Sequence, residues 1–180
     1  MRFMMKIFTL CFSLFLIFFG CSKPTSPQDI TGIWKSRDQH SDKPRSLVAI
    51  YKYKDMYYGR MLATYDENGN IKDTIFVQKE KSTGVVGNPP YCGMDFVYNV
   101  QKENQAGGKQ VKYKGEIIDP QKGNVYDAEF WISGNDLIVR GEVWIFGKNI
   151  PWHRASEKDL PDGFSMRDIK DFVPVVPEVL

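Results

Sequence analysis

Histidine and cysteine, the usual partners in nucleophilic and transition-metal chemistry, are scarce among these 180 residues, two and three in number. The two histidines, His40 and His153, are far apart, one in a polar loop and one on a predicted strand. No His-x-His or cysteine pair gives a metal its ligand spacing, so neither zinc nor haem is expected, nor any other cofactor. Cys92 beside a histidine would be a nucleophilic pair. Next to Pro89-Pro90-Tyr91 it is more simply a packed loop residue. Ser165 lies in Gly163-Phe164-Ser165-Met166-Arg167, which lacks the second glycine of a nucleophile elbow. The acids Glu116, Asp127, Glu129 and Glu142 fall within predicted strands. Two of them could share acid and base roles, but cross-strand pairing with Lys112, Lys114 or Arg140 explains them more simply. Lys79, Lys81, Lys109, Lys112 and Lys114 are read as a solvated surface rather than a docking site for anionic lipid.

Cys21 has the most informative surroundings. Met1–Lys6 carries two positive charges and no acid, and Ile7–Phe19 follows as thirteen residues that are apolar except for Thr9 and Ser13. That run is short of the about 20 residues a spanning helix needs and has the length of a signal-peptide core. Gly20-Cys21 ends it and resembles the lipobox cut by lipoprotein signal peptidase, with Phe18 where an aliphatic residue is usual. The expectation is a signal peptide over residues 1–20, lipid on Cys21, and a polar tether over 21–28. Two or three acyl chains hold a protein at a membrane essentially permanently. The seven residues Ser22–Gln28 give a reach of roughly 20 Å. The implied location is the cell envelope, at a periplasmic or outer-membrane face.

Losing Arg2 and Lys6 from the 24 basic residues leaves the remaining side chains balanced against the 22 acids. A neutral chain argues against nucleic acid as a partner. Cys92 would be the one unmodified cysteine, so the fold must rest on a packed core rather than a disulfide.

The elements that would position these residues are strands. Val111, Tyr113, Gly115 and Ile117 alternate with Gln110, Lys112, Lys114 and Glu116, the period of a half-buried strand. Asp119–Asn124 supplies a turn, Asn124–Ile132 returns, and Ser133–Asp136 turns again into Leu137–Val143. Ile30–Ser36, Arg45–Lys54, Met56–Tyr65, Ile71–Gln78, Met94–Gln101 and Lys148–Arg154 read the same way. The pattern predicts an all-β, antiparallel up-and-down barrel of about eight to nine strands over residues 29–154, since closure removes exposed edges. Residues 155–180 change character. They hold six acids and three bases, with Ser165 and Asp168 spaced to cap a short helix through Phe172 and with Pro174 and Pro177 keeping the end extended. This acidic tail is expected to pack along the barrel or to be partly disordered; the weaker reading makes Val179-Leu180 a partner-binding terminus.

Gly32-Ile33-Trp34 on the first strand resembles the Gly-x-Trp signature of lipocalin- and streptavidin-type barrels. The resemblance implies that Gly32, Trp34, Trp152 and Arg154 close one barrel end, with Arg154 over Trp34 in a cation–π contact. More broadly, the chain resembles the bacterial family catalogued as domain of unknown function 2147. The likeness rests on Gly32-Ile33-Trp34, Lys43-Pro44-Arg45-Ser46, Tyr58-Gly59-Arg60-Met61, Gly115–Pro120 with Gly123 and Tyr126, Leu137–Gly141 and Trp152-His153-Arg154. Members tend to be small exported proteins, and many carry a mid-chain cysteine pair of which only Cys92 is present here. Neither resemblance brings an activity. The nine tyrosines and four tryptophans would suit an apolar or amphipathic ligand if Tyr113, Tyr126 and Trp131 line an open interior. A filled interior would instead leave a module for binding an envelope protein, and an enzyme is the third reading.

Overall fold

The computed structural model describes residues 29–38, 41–103, 110–141 and 148–180. Cys21 and His40 lie outside them. Nine strands form in chain order: β1 (Gly32–Arg37), β2 (Pro44–Tyr53), β3 (Met56–Tyr65), β4 (Ile71–Thr74), β5 (Asp95–Lys102), β6 (Lys112–Asp119), β7 (Asn124–Ser133), β8 (Asp136–Gly141) and β9 (Asn149–Arg154). Each of the eight barrel strands pairs antiparallel with its neighbours, and β1 closes on β9 through Trp34↔Arg154 and Lys35↔His153. The expected up-and-down barrel is therefore present with eight strands, and β4 is an extra strand paired to the end of β3.

Period-two alternation explains which side chains fill the barrel. Trp34, Val48, Ile50, Tyr57, Met61, Val97, Tyr113, Ala128, Phe130, Leu137, Val139 and Trp152 form one buried cluster inside it. The opposite face of β1–β3 is also apolar. Ile33, Leu47, Ala49, Leu62 and Ala63 form a second cluster on the outside, covered by Ala155, Leu160, Phe164, Met166, Ile169 and Phe172. Tail and barrel thus share a hydrophobic layer.

Three expected elements differ in the structure. The strand expected over Ile71–Gln78 stops at Thr74, because the Thr74 carbonyl accepts from Val77 and Gln78 amides while the buried Asp73 carboxylate gathers the amides of Thr74, Lys79 and Glu80. The helix expected from Ser165 shrinks to one 3-10 turn, Asp168–Asp171. Half the capping box forms, with the Ser165 amide donating to Asp168 Oδ2 at 2.8 Å, but Pro174 and packing onto the barrel favour an extended chain after Phe172. The strand expected to run to Val143 is described as far as Gly141.

Candidate functional site

The barrel has two unlike ends. At one, Trp34 is completely buried and its indole Nε1 donates to the Ile30 carbonyl at 2.9 Å. The Arg154 guanidinium carbon stands 4.2 Å from the Trp34 ring centroid. Burial lowers the Arg154 pKa, partly opposed by nearby Asp29. Gly32 has φ +140°, and a Cβ there would stand 2.6 Å from Arg154 Nη1. A glycine two residues before the tryptophan is what lets the arginine reach the ring. Tyr57 and Tyr113 meet edge to face at 5.1 Å between ring centroids, and Trp152 is buried in the same cluster. The Tyr113 hydroxyl is held well above the usual tyrosine range, first by burial and then by Tyr57 and Asp29. This end is a floor of aromatic rings.

The opposite end is a mouth, and the long loop between β4 and β5 lies across it. Cys92 and Met94 enter the interior cluster from this loop, with Tyr91 packed against it. Main-chain bonds tie the loop to β3, from Met61 N to Met94 O at 3.1 Å and from Gly93 N to Met61 O at 2.9 Å. On the far side Gly84 N donates to Pro120 O at 2.9 Å. A Cβ at Gly84 would stand 2.1 Å from the Gly123 amide nitrogen, so the loop and the β6–β7 turn touch backbone to backbone. The mouth is closed by a plug that belongs to the loop.

Of the residues proposed to line an interior, Tyr113 faces inward. Tyr126 takes the inward register near the mouth, half-buried, and accepts a 3.0 Å bond from Asn124 Nδ2. Trp131 does not join them. Its neighbour Phe130 is inside, so parity turns Trp131 to the outer face, where the Lys112 ammonium lies 5.3 Å from its ring. Asp127 and Glu129 share that outer face. Glu129 pairs with Lys112 at 3.0 Å and Lys114 at 3.7 Å.

The catalytic alternatives find little support. Burial, then the Asp73 and Glu80 carboxylates, pushes the Cys92 thiol up to about 12, away from nucleophilic duty at neutral pH. His153 Nδ1 lies 2.9 Å from Asp136 Oδ1 near the floor, whereas Cys92 enters from the mouth at the other end. Among the described residues no group of three or more His, Cys, Asp and Glu is placed to hold a metal ion. A polar groove of about 370 Å³ lies on the outside of β5–β7. Two of its three acids are engaged, Glu116 by Asn99 at 2.8 Å and Glu129 by the two lysines; Asp127 is exposed.

One constellation escaped sequence reasoning. On the outer face of β2, β3 and β5, Asp95 is fully buried and receives Arg60 Nη2 at 2.8 Å, Arg60 Nε at 3.2 Å and the Tyr51 hydroxyl at 2.9 Å. The tail completes it. Arg60 Nη2 donates to Val173 O at 2.6 Å, Val175 N donates to Asp95 Oδ2 at 2.5 Å, and Asp95 N donates to Val175 O at 2.9 Å. Phe172 lies 4.3 Å from the Arg60 guanidinium carbon. The Tyr51 hydroxyl is raised far above its ordinary value by burial and by Asp95. The available signal was the apolar spacing of Phe172, Val173, Val175, Val176 and Val179 around two prolines, an extended segment in need of a support.

Residues 32–154 match the model of a family described as uncharacterized protein conserved in bacteria (DUF2147). The chain belongs to the DUF2147 family. Among solved structures, this DUF2147 protein is similar to HP1028 of Helicobacter pylori, described as belonging to the lipocalin family. The TM-score is 0.55 at 19% identity, over 78% of this chain and 95% of that one. At that identity the likeness concerns fold, and the fold is lipocalin-like. No curated protein matches the chain.

Proposed function

We propose that this DUF2147 protein is a lipid-anchored binding protein of the cell envelope whose barrel takes up an apolar or amphipathic small molecule without transforming it. The observation that carries the reading is the origin of the side chains in the upper interior. Cys92 and Met94 belong to a loop laid over the mouth, whereas the rings of the floor belong to the barrel. Withdrawing the loop would open a chamber above Trp34, Tyr113 and Phe130, and the thioether side chain of Met61 on β3 adapts readily to varied apolar shapes. An eight-stranded barrel has room either for its own side chains or for one small ligand. The plug lets one sequence do both in turn. The lipobox-like Gly20-Cys21 supports the anchor, and continued palmitate labelling of a Cys21→Ala variant would remove it.

A second reading is favoured by one observation. In the closed state the described interior is packed with side chains, which suits a rigid module that binds an envelope protein by its outer surface. Native mass spectrometry of the protein isolated from its host separates the two. An added mass lost on denaturation supports the carried ligand. A clean mass at gentle collision energies, with no uptake from a lipid extract, supports the module.

A further inference from the structure

We infer that the C-terminal segment is a releasable strap whose clamp on Arg60 and Asp95 holds the loop plug shut over the barrel mouth. The inference deepens the ligand-binding reading and rests on it for its purpose, though the mechanical claim stands on its own contacts.

The strap has three stations. At the first, Ala155 N bonds Ile33 O at 2.9 Å, Asp159 pairs with Lys35, and Leu160, Phe164 and Phe172 cover the outside of β1–β3. At the second, Arg60 and Asp95 hold the main chain of Val173 and Val175. At the third, the strap touches the plug itself. Val86 N donates to Glu178 O at 2.8 Å, Leu180 N donates to Gly84 O at 3.4 Å, and Val85 bridges Val179 in antiparallel sense. Val85 is completely buried. Asp95 follows directly on the plug residue Met94, so the clamp grips the tail and the root of the plug at the same point.

At the second and third stations the strap's own side chains bury little. Val173 is 59% exposed, Val175 55% and Leu180 82%. Beyond Phe172 the strap is therefore held by a charged clamp and a few main-chain bonds rather than by apolar burial, and local openings begin in segments of that kind. The first station is a hydrophobic layer that can persist while the last eight residues lift. Release at the clamp would free Val85 and Val86 from the strap, leaving the plug attached to β3 and, through Gly84, to the β6–β7 turn.

Cys92 reports on the plug directly, because it belongs to the plug and its thiol is buried on the side that enters the barrel interior. The test is pulsed N-ethylmaleimide labelling of the full chain, read at Cys92 by peptide mass spectrometry. Two variants are compared with the parent: a deletion of Val173–Leu180, and Val85→Cys with Val179→Cys oxidised to staple the third station. The deletion should label Cys92 at least about tenfold faster, the equivalent of about 1.4 kcal/mol. Its urea dependence should be shallower than that of global unfolding, and the near-UV spectrum of the floor tryptophans should be unchanged. The staple should label more slowly than the parent. A deletion rate within about twofold of the parent would overturn the strap, as would acceleration with the full urea dependence of global unfolding. No ligand takes part, so a strap that passes while native mass spectrometry finds no ligand would sink the binding reading alone.

Discussion

Replacing Asp95 with Ala should be among the most damaging single changes outside the aromatic floor. Asp95 has no exposed surface, and the Arg60 side chain is only 9% exposed. The carboxylate accepts from Arg60 Nε and Nη2, from Tyr51 and from Val175. Its loss leaves a guanidinium buried with only the Tyr51 oxygen and the Val173 carbonyl as acceptors. Breaking a buried ion pair from one side costs about 3–5 kcal/mol, a large share of the roughly 5–15 kcal/mol that holds a domain folded. Removing both charges together is a different perturbation. Arg60→Met with Asp95→Leu leaves no orphan charge, and similar volume is retained for packing against Tyr51 and Phe172. The remaining losses are the anchorage of Val173 and Val175 and the two partners of the Tyr51 hydroxyl, about 1 kcal/mol for each bond. Urea unfolding of the wild type, Arg60→Met, Asp95→Leu and the double variant should therefore give strongly non-additive values, with the double change costing at least about 2 kcal/mol less than the sum. Single variants costing under about 1 kcal/mol, or additivity within about 0.5 kcal/mol, would refute the clamp as an energetic unit.

Three further outcomes follow from the geometry. Arg154→Ala should cost about 1–2 kcal/mol through the lost cation–π contact and the uncovered Trp34 face, read by urea unfolding and a red-shifted tryptophan emission. Asp159 is held down at about 2: burial opposes its charge, but Lys35 and the Ser156 amide and hydroxyl more than offset that. A depressed carboxyl stabilises the fold above its unfolded value near 4 and loses that stabilisation as pH falls toward 2, so Asp159→Asn should cost about 2 kcal/mol at pH 7 and almost nothing at pH 2. Gly84→Val puts a side chain into the Lys122–Gly123 backbone and should raise Cys92 labelling while leaving the barrel's far-UV spectrum intact.

How much of this was legible in the sequence depended on whether the information was local. Strand alternation is local, and so are the turns around Gly123 and Gly134, so the meander and its closure could be read directly. The same parity rule placed Gly32 and Trp34 together and Trp152 with Arg154. It also showed Asp127, Glu129 and Trp131 on one face. Which face is outside depends on Phe130 and Ala128 meeting residues from other strands, so alternation alone does not separate Trp131 from the lining. The Arg60–Asp95 pair joins residues on strands separated by β4 and its loop, and the register between β3 and β5 carries two bulges between Tyr57 and Arg60. No spacing in the sequence announces such a pair. The plug was hidden for a related reason. Residues 75–94 contain strand-like valines, prolines and a cysteine, and only the fold shows that Cys92 and Met94 turn into the barrel.

The two ends of the barrel imply a direction for any traffic through it. The floor carries the start of the barrel domain, with Ile30 O accepting from Trp34 Nε1 and Gly32 beside Arg154, and the proposed tether of seven residues before it would hold that end toward a membrane. The plug sits at the other end. A carrier built to draw lipid straight from its own membrane would open toward it; with the proposed anchor on Cys21, this barrel would open on the side away from the membrane. The proposed cargo would then arrive from the aqueous space or from a partner meeting the mouth, where the exposed Val86, Val176 and Leu180 present apolar atoms beside the plug. The strap ends among those residues. A partner that binds them competes with the weakest station of the strap, and so needs only a modest differential affinity to shift the plug toward its open position.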